Sequence, residues 1–482
     1  MWVLKDRSSF LNLDYLLAQH LRLGVDTYYC YGLIPVAVQH FLFVVFGRSY
    51  RPLIGFTLVT LCALAFFWAR LLDHLPRERI WLVVLVGIAP ILLWVNPNLP
   101  YSIVQLSILF SLLCVLEDRL DLALAFAVAG WFSVPSLPLA LTGLLIAAIV
   151  IRTRSLPSMI RQLTPGVLTF LALIAVSAPM FGWKSVAVTS TPLLGIKFYR
   201  VVHFDALTTA RDFIYPPGHR FLYYVGYYPG TAVTWWFVST ITLLVFGASA
   251  ARTIWRQRTL DPRNLFLCLC AVLQAIFAFA ARGSVEQHVI YDPLLAAGIL
   301  IGIAGLPQQK TRRNLLVAFA AVAVLSEAAQ ARATVLAWMD TRAFPSTDNL
   351  YATPTMAAEW SQIVDTSRQH NLLMLSYATG AHNYFPTVHT ADTWMMRRGQ
   401  LFPADRQRVL TQLKNADVVV EDLTSVTSAM DSDADIQSQL RSMCLTRETA
   451  NFLIWFRPGL LPASTQCLPN LRMRAGTMQM KR

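Results

Sequence analysis

The sequence predicts an all-α polytopic membrane domain of about ten helices, with juxtamembrane helices before it and a small C-terminal α/β extracytoplasmic domain after it. Three observations lead to this fold class. Of the 482 residues, 55% are hydrophobic and 14% are charged. Most apolar runs approach the ~20 residues that a helix needs to cross a bilayer. The composition becomes polar after Pro345. We therefore expect three regions, at residues 1–50, 51–340 and 341–482.

The apolar runs divide the middle region into candidate membrane spans. They lie at 52–71, 80–95, 103–116, 121–134, 136–151, 165–182, 231–249, 264–281, 289–306 and 314–337. Residues 121–151 could alternatively form one helix that is broken at Val134-Pro135-Ser136, so the number of spans stays open by one or two.

Basic residues in alternate loops predict the sidedness of these spans. The basic loop residues are Arg70, Arg77, Arg79, Arg119, Arg152, Arg154, Arg161, Arg252, Arg256, Arg258, Arg263, Lys310, Arg312 and Arg313. Since such clusters mark cytoplasmic loops, we expect the other loops to face outward, together with residues 1–50 and everything after Asp340. The same rule explains the net charge of +13 without a nucleic-acid partner.

The first fifty residues predict two short helices and contain two carboxylates. The first helix has an apolar stripe and an opposite polar face, as in a helix that lies at a membrane interface, and it ends at Gly24. Asp14 lies on this helix, Asp26 follows it, and residues 36–46 form the second helix. The stripe and the polar face consist of Phe10, Leu13, Leu17 and Leu21, and of Asn12, Gln19 and Arg22, respectively.

The predicted outward position of the N-terminus leaves two alternatives for the start of the chain. Residues 1–50 contain no signal-peptide pattern and no earlier span that could carry them across the membrane. We expect that a first transmembrane helix is missing ahead of Met1. The alternative is that residues 29–46 span the membrane and shift the order of the first loops.

The tail predicts a small α/β unit. Strands are expected at 372–376, 418–420 and 452–456, alternating with helices near 354–368, 404–414 and 432–441. Asp417, Glu421 and Asp422 are expected to form a solvated cluster at a strand end. Cys444 and Cys467 either pair in an oxidising compartment or remain free thiols.

Four motifs, in this order and with this sidedness, resemble the GT-C glycosyltransferases. They are DTYYCYGLIP at 26–35, FGR at 46–48 ahead of Pro52, GWFSVPS at 130–136 and RGSVEQHVIYDP at 282–293. This family of polyprenyl-phosphate-sugar-dependent membrane enzymes includes the lipid A aminoarabinose transferase and the protein mannosyltransferases. The resemblance implies a multi-pass protein of the bacterial inner membrane with a periplasmic tail. It also implies sugar transfer from a polyprenyl-phosphate donor to a glycan, lipid or protein acceptor.

The resemblance assigns roles to five residues. A first-loop Asp acts as the base that takes the acceptor proton, which points to Asp14 and Asp26. Arg282, His288 and Tyr291 would receive the donor phosphate, because a guanidinium binds phosphate oxygens through paired donors. Asp14 could instead belong to a solvated helix face, Asp26 could cap a turn, and His288 could be an interface residue.

A metal cofactor and two other functional classes stay open. His203 and Asp205 supply only two possible ligands, so we predict no metal site, although a divalent cation remains possible. Where the family's second outward loop has an Asp, this chain has Asn96, Asn98 and Tyr101. Val134 stands where a Lys is common. These differences favour a non-catalytic GT-C-like subunit of envelope polysaccharide assembly as one alternative. A transporter or flippase is the other, although mid-membrane charges and internal repeats are missing.

Overall fold

The structure is a computed structural model of the whole chain, and it consists of two compact units. One unit comprises Met1–Cys30 and Met339–Arg482, and the other comprises Tyr31–Trp338. The expected first region, residues 1–50, is therefore divided between the two units. The structure describes residues 6–27, 29, 31–48, 51–93, 99–153, 155–191, 230–280, 292–339, 342–343, 351–376, 385–393, 402–422, 433–449, 451–462 and 464–468.

The unit Tyr31–Trp338, called the helical unit below, is built from apolar helices. Their bounds are α2 Ile34–Phe46, α3 Arg51–Leu72, α4 Arg79–Gly87, α5 Ala89–Leu92, α6 Leu99–Leu116, α7 Leu120–Trp131, α8 Ser136–Arg152, α9 Leu156–Phe181, α10 Trp183–Ser190, α11 Gly230–Gln257, α12 Pro262–Ala280, α13 Asp292–Ala304 and α14 Gln309–Met339. Separate helices α7 and α8 decide against one broken helix over residues 121–151.

Among the described residues, four helical segments are long and apolar enough to cross a membrane. They are Arg51–Leu72, Leu99–Leu116, Leu156–Phe181 and Val238–Gln257. Helices α6 and α13 are mostly buried inside the unit, whereas α9 is 26 residues long and leaves apolar side chains such as Leu168 and Leu171 exposed. A long apolar helix with an exposed apolar face is typical of a helix in contact with lipid. The coarse prediction of a helical membrane domain is supported, while about ten spans stay a prediction.

Ion pairs join the helix ends on one side of the helical unit. Arg70 contacts Glu117 at 2.7 Å, and Arg312 contacts Glu78 at 2.6 Å. Arg152 pairs with Asp118 through both guanidinium nitrogens. The first pair joins the ends of α3 and α6, the second joins the starts of α4 and α14, and the third joins the ends of α6 and α8. We call this side the charged end.

The other unit, called the α/β unit below, has a five-stranded sheet in the order β4-β3-β5-β7-β6. Strands β4, β3 and β5 are parallel, and β7 and β6 are antiparallel to their neighbours. The elements are α1 Asp6–Ala18, β1 Arg342–Ala343, β2 Tyr351–Ala352, α15 Pro354–Gln369, β3 Leu372–Leu375, β4 His389–Thr390, α16 Pro403–Asn415, β5 Val418–Asp422, α17 Ala434–Arg441, β6 Cys444–Glu448 and β7 Phe452–Phe456.

Alternating side chains give this sheet two apolar faces. Met374, Val418 and Ile454 pack with Trp360 of α15 in one core. The residues between them along the strands belong to a second core under α16 and α17, where the packed residues include Leu373, Val419, Trp455, Val409 and Ile436. The three predicted strands and the three predicted helices are confirmed. The sheet also contains β4 and β6, which the sequence did not predict.

Two predictions about the tail are resolved by the fold. Cys444 and Cys467 form a disulfide bond, so the paired alternative holds. The expected solvated cluster is wrong for Glu421 and Asp422, because both are buried and Asp422 accepts a hydrogen bond from Ser376 Oγ at 2.9 Å. Strand β5 extends to Asp422: Glu421 pairs with both β3 and β7, and Asp422 pairs with Phe452 of β7, which encloses both residues within the sheet.

The N-terminal helix α1 belongs to the α/β unit. Asn12, from its expected polar face, is buried, and its Nδ2 donates to the Thr393 carbonyl at 3.0 Å. Leu13 and Leu16 are also buried. The prediction of a solvated polar face is therefore wrong at Asn12, which contacts protein, whereas Gln19 and Arg22 are exposed. The helix ends at Ala18 and not at Gly24, so the predicted end is wrong. Gly24 lies in the turn that follows, with a φ of 74° that residues with a Cβ atom rarely adopt.

Candidate functional site

Three outward-predicted segments meet at one place in the helical unit, which we call the loop junction and define by Tyr31, Gly32, Tyr101, Phe132 and Ser133. The Gly32 backbone N–H donates to the Ser133 carbonyl at 2.8 Å, and the Ile34 N–H donates to the Phe132 carbonyl at 3.2 Å. Ser133 Oγ donates to the Pro100 carbonyl at 2.9 Å. Segments from the DTYYCYGLIP motif, the second outward loop and the GWFSVPS motif are thus joined by hydrogen bonds.

The close approach at the loop junction explains the glycine of the first motif. A Cβ atom at Gly32 would lie 1.9 Å from the Phe132 carbonyl oxygen and 2.8 Å from the Ser133 nitrogen. Both are backbone atoms, which cannot move aside as a flexible side chain can. Gly32 is also buried. Only glycine lets the two main chains approach each other at this distance.

Aromatic side chains complete the loop junction. The rings of Tyr31 and Tyr101 lie edge to face with centroids 5.5 Å apart, and their hydroxyl groups share a hydrogen bond of 2.5 Å. Trp131 Nε1 donates to the Ser190 carbonyl at 2.6 Å, and its ring also packs near Phe170. Tyr101, at a position where the resembled family often has an Asp, therefore takes part in packing at the junction.

The loop junction and the charged end lie at opposite ends of the same helices. Helix α6 begins next to the junction, with Pro100 as its second residue, and ends just before Glu117. Its 18 residues span about 27 Å at 1.5 Å per residue. Helix α8 likewise begins three residues after Ser133 and ends at Arg152. This arrangement agrees with the predicted grouping of the loops into two sides.

Asp14, one of the two predicted bases, lies on α1 in the α/β unit and is buried. The helix is fixed on both sides of this residue. Asn12 bonds to Thr393, and the Tyr15 hydroxyl donates to Asp392 Oδ1 at 3.3 Å. Burial, together with the Asp392 charge, raises the pKa of Tyr15 above its usual value, so this phenol stays protonated as a donor. A catalytic role for Asp14 stays a prediction.

Asp26, the second predicted base, forms a two-point ion pair with Arg22. Arg22 Nε contacts Asp26 Oδ2 at 2.8 Å, and Nη2 contacts Oδ1 at 2.8 Å. The Arg22 backbone N–H also donates to this carboxylate at 2.9 Å. The hydrogen bonds from Arg22 lower the pKa of Asp26 below its usual value. A carboxylate with a lowered pKa is charged at neutral pH but is a weaker proton acceptor. Catalysis by Asp26 stays a prediction too.

The predicted phosphate-binding residues Arg282, His288 and Tyr291 lie outside the described residues, as do His203 and Asp205. The last motif reaches the described region at Asp292, the first residue of α13. Among the carboxylates of the helical unit whose burial is described, Asp292 is the buried one. The sequence signal for it was an Asp-Pro pair ahead of an apolar run. Within the described ranges, no group of three or more His, Cys, Asp or Glu side chains could hold a metal ion.

Sequence reasoning missed the residues that hold the N-terminal segment, namely Asp392, Thr393 and Arg408. They lie more than 370 positions along the chain from their partners, and no periodic pattern connects residues so far apart.

Comparisons of this chain with models of known protein families, with curated proteins and with solved structures gave no match.

Proposed function

We propose that this protein is a membrane glycosyltransferase of GT-C type, which moves a sugar from a polyprenyl-phosphate donor to a glycan, lipid or protein acceptor. The observation that carries the proposal is the loop junction. Two of the four motifs behind the family resemblance, together with the second outward loop, pack against one another at one end of the helical unit. Such packing is expected if these segments shape a common site beside the membrane surface.

The proposed reaction needs a base and a group that accepts the phosphate charge. The acceptor oxygen forms a bond to the anomeric carbon as the bond from that carbon to the phosphate oxygen breaks. The acceptor proton passes to a carboxylate, for which Asp14 and Asp26 are the candidates. The polyprenyl phosphate leaves with the electron pair, and Arg282, His288 and Tyr291 are the candidates to stabilise it.

The proposed periplasmic face is supported by bonds within the α/β unit. Segment 12–26 is hydrogen-bonded to segment 392–408, so both lie on the same side of any membrane that the helical unit crosses. The number of crossings between these segments is then even. The Cys444–Cys467 disulfide favours an oxidising compartment for that side, which in a bacterium is the periplasm.

A transfer assay with the full chain in nanodiscs and a labelled polyprenyl-phosphate sugar tests the proposal. Asp14→Asn and Asp26→Asn keep the side-chain shape and remove its basicity, and removing the base should lower kcat by roughly 10²–10⁴. Asp73→Asn is the matched control, because Asp73 is an exposed carboxylate beside Arg70 at the charged end. Full turnover in both first-segment variants would exclude these residues as the base.

The donor side has its own test in the same assay. Arg282→Lys keeps the charge but loses the planar pair of donors, so we expect weaker transfer than in the control His40→Gln. His40 lies exposed on α2. If both variants match the parent, Arg282 does not bind the donor phosphate.

A second candidate function is a non-catalytic GT-C-like subunit of envelope polysaccharide assembly. The ion pair that occupies both Asp26 oxygens, and the packing role of Tyr101, favour it. A chain that binds the polyprenyl-phosphate donor but transfers no sugar under any acceptor condition would support this second function.

A further inference from the structure

Arg408 of α16 lies at the centre of the contact between the N-terminal segment and the α/β sheet. Its Nη2 donates to the Asp26 carbonyl oxygen at 3.0 Å, and its Nε donates to the Asp392 carbonyl oxygen at 3.1 Å. Nη2 also pairs with the Asp405 carboxylate. One guanidinium therefore connects three separate segments of the chain.

The same contact extends to the helix that carries Asp14. Asp392, whose carbonyl accepts from Arg408, also accepts the Tyr15 hydroxyl through its carboxylate at 3.3 Å. Tyr15 directly follows Asp14 in α1. Arg408 thus contacts the Asp26 turn directly and the Asp14 helix through Asp392. Both candidate bases are therefore linked to one residue of the C-terminal part.

Arg408 itself is held rigidly. Asp405 is fully buried, and its second carboxylate oxygen accepts the Phe402 backbone N–H at 3.1 Å at the start of α16. A buried carboxylate that is fixed to a helix start gives the guanidinium one orientation. The planar group can then aim Nε and Nη2 at two different carbonyl oxygens, which the single nitrogen of a lysine cannot do.

We propose that Arg408 is a positioning residue for sugar transfer: it fixes the first-loop carboxylates so that the C-terminal α/β unit sets the turnover of the enzyme. This inference rests on the proposed glycosyltransferase function. A misplacement of about 1 Å at a reacting group can reduce a rate by roughly 10². In this proposal Arg408 acts on the carboxylates and not on the donor phosphate, so donor affinity should not change with its loss.

Arg408→Gln in the full chain tests the positioning role. We expect kcat to fall by roughly 10- to 100-fold with an unchanged KM for the polyprenyl-phosphate sugar. The kcat of Arg408→Lys should lie between those of Arg408→Gln and the parent. Arg457→Gln is the matched control. Arg457 also donates to backbone carbonyls of the α/β unit, those of Lys414 and Ala416, at the end of α16. It should keep the parental kcat.

Tryptic cleavage after Arg22 provides a second measurement that needs no activity. Arg22 is exposed but lies in the turn that Arg408 holds, so Arg408→Gln should be cleaved faster than the parent and than Arg457→Gln. If the parent transfers sugar and Arg408→Gln keeps the parental kcat, this inference is overturned while the proposed function stands. The same holds if Arg408→Gln and Arg457→Gln lose kcat equally. A parent that transfers nothing overturns the proposed function as well, and the cleavage rates then report only on the docking of the segment.

Discussion

The two ends of the helical unit are held together by different kinds of interaction. At the charged end, arginines pair with acidic residues across helix ends, and most of these side chains remain partly exposed. At the loop junction, main-chain groups, one serine hydroxyl and aromatic rings make the contacts, and the central residues Gly32, Phe132 and Ser133 are buried.

The two kinds of interaction determine different properties: the charged end determines the orientation in the membrane, and the loop junction determines local geometry. Exposed ion pairs each contribute little to stability, but positive charge at one end determines which side of the membrane that end takes. A junction of buried backbone contacts fixes positions to within fractions of an ångström and tolerates almost no added atom. Among the described residues, the loop junction combines buried backbone contacts with a glycine that has no room for a Cβ atom.

Of the variants that test this comparison, Gly32→Ala should lose the most stability. The added Cβ would overlap the Phe132 carbonyl, so we expect destabilisation by about 3 kcal/mol or more and loss of monodisperse protein in fluorescence-detected size exclusion. Gly55→Ala is the control, because nothing lies within 4 Å of a Cβ at that exposed position of α3. Equal thermal midpoints for the two variants would contradict the close packing of the junction.

Ser133→Ala should have an intermediate effect. It removes the hydrogen bond from a fully buried hydroxyl to the Pro100 carbonyl, which should cost about 1 kcal/mol and lower the thermal midpoint in detergent. The control is Ser361→Ala, an exposed serine on α15 whose hydroxyl donates to the Ala357 carbonyl of its own helix. If the Ser133 variant is as stable as this control, the hydroxyl bond does not hold the junction together.

Arg152→Gln at the charged end should have the smallest effect. Both partners of this ion pair are more than a third exposed, so solvent and salt screen it, and we expect a change within about 1 kcal/mol. The difference from the parent should shrink further as salt is added in the same melting experiment. If Arg152→Gln lowers the thermal midpoint more than Ser133→Ala does, the proposed contrast between the two ends is reversed.

Local patterns predicted much of the fold. The strands β3, β5 and β7 were found from short apolar runs bounded by polar helices, and α7 and α8 are separated where Val134, Pro135 and Ser136 interrupt the apolar sequence. Hydrophobic periodicity and composition are properties of a few neighbouring residues, so such elements can be predicted directly from the sequence. Strand β4 has only two residues, and β6 mixes buried and exposed positions in CLTRE, which left no periodic signal.

The candidate site was less predictable because its contacts are long-range. Asp14 and Asp26 were singled out from the first loop, but their attachment to Asp392, Thr393 and Arg408 depends on the folded sheet. Similarly, Glu421 and Asp422 look solvated beside a strand, and only the pairing of β5 with its neighbouring strands encloses them. Sequence spacing carries no information about which distant segments a sheet brings together.

Sidedness is the property on which the proposed reaction depends most directly, since the proposal requires the first-loop carboxylates to lie outside the cytoplasm. Alkaline phosphatase, which is active only outside the cytoplasm, can be fused behind the full chain at Arg482 or after Gln257, in a basic loop that is predicted to be cytoplasmic. We expect activity from the first fusion and none from the second. Activity after Gln257 together with a silent Arg482 fusion would contradict the periplasmic site.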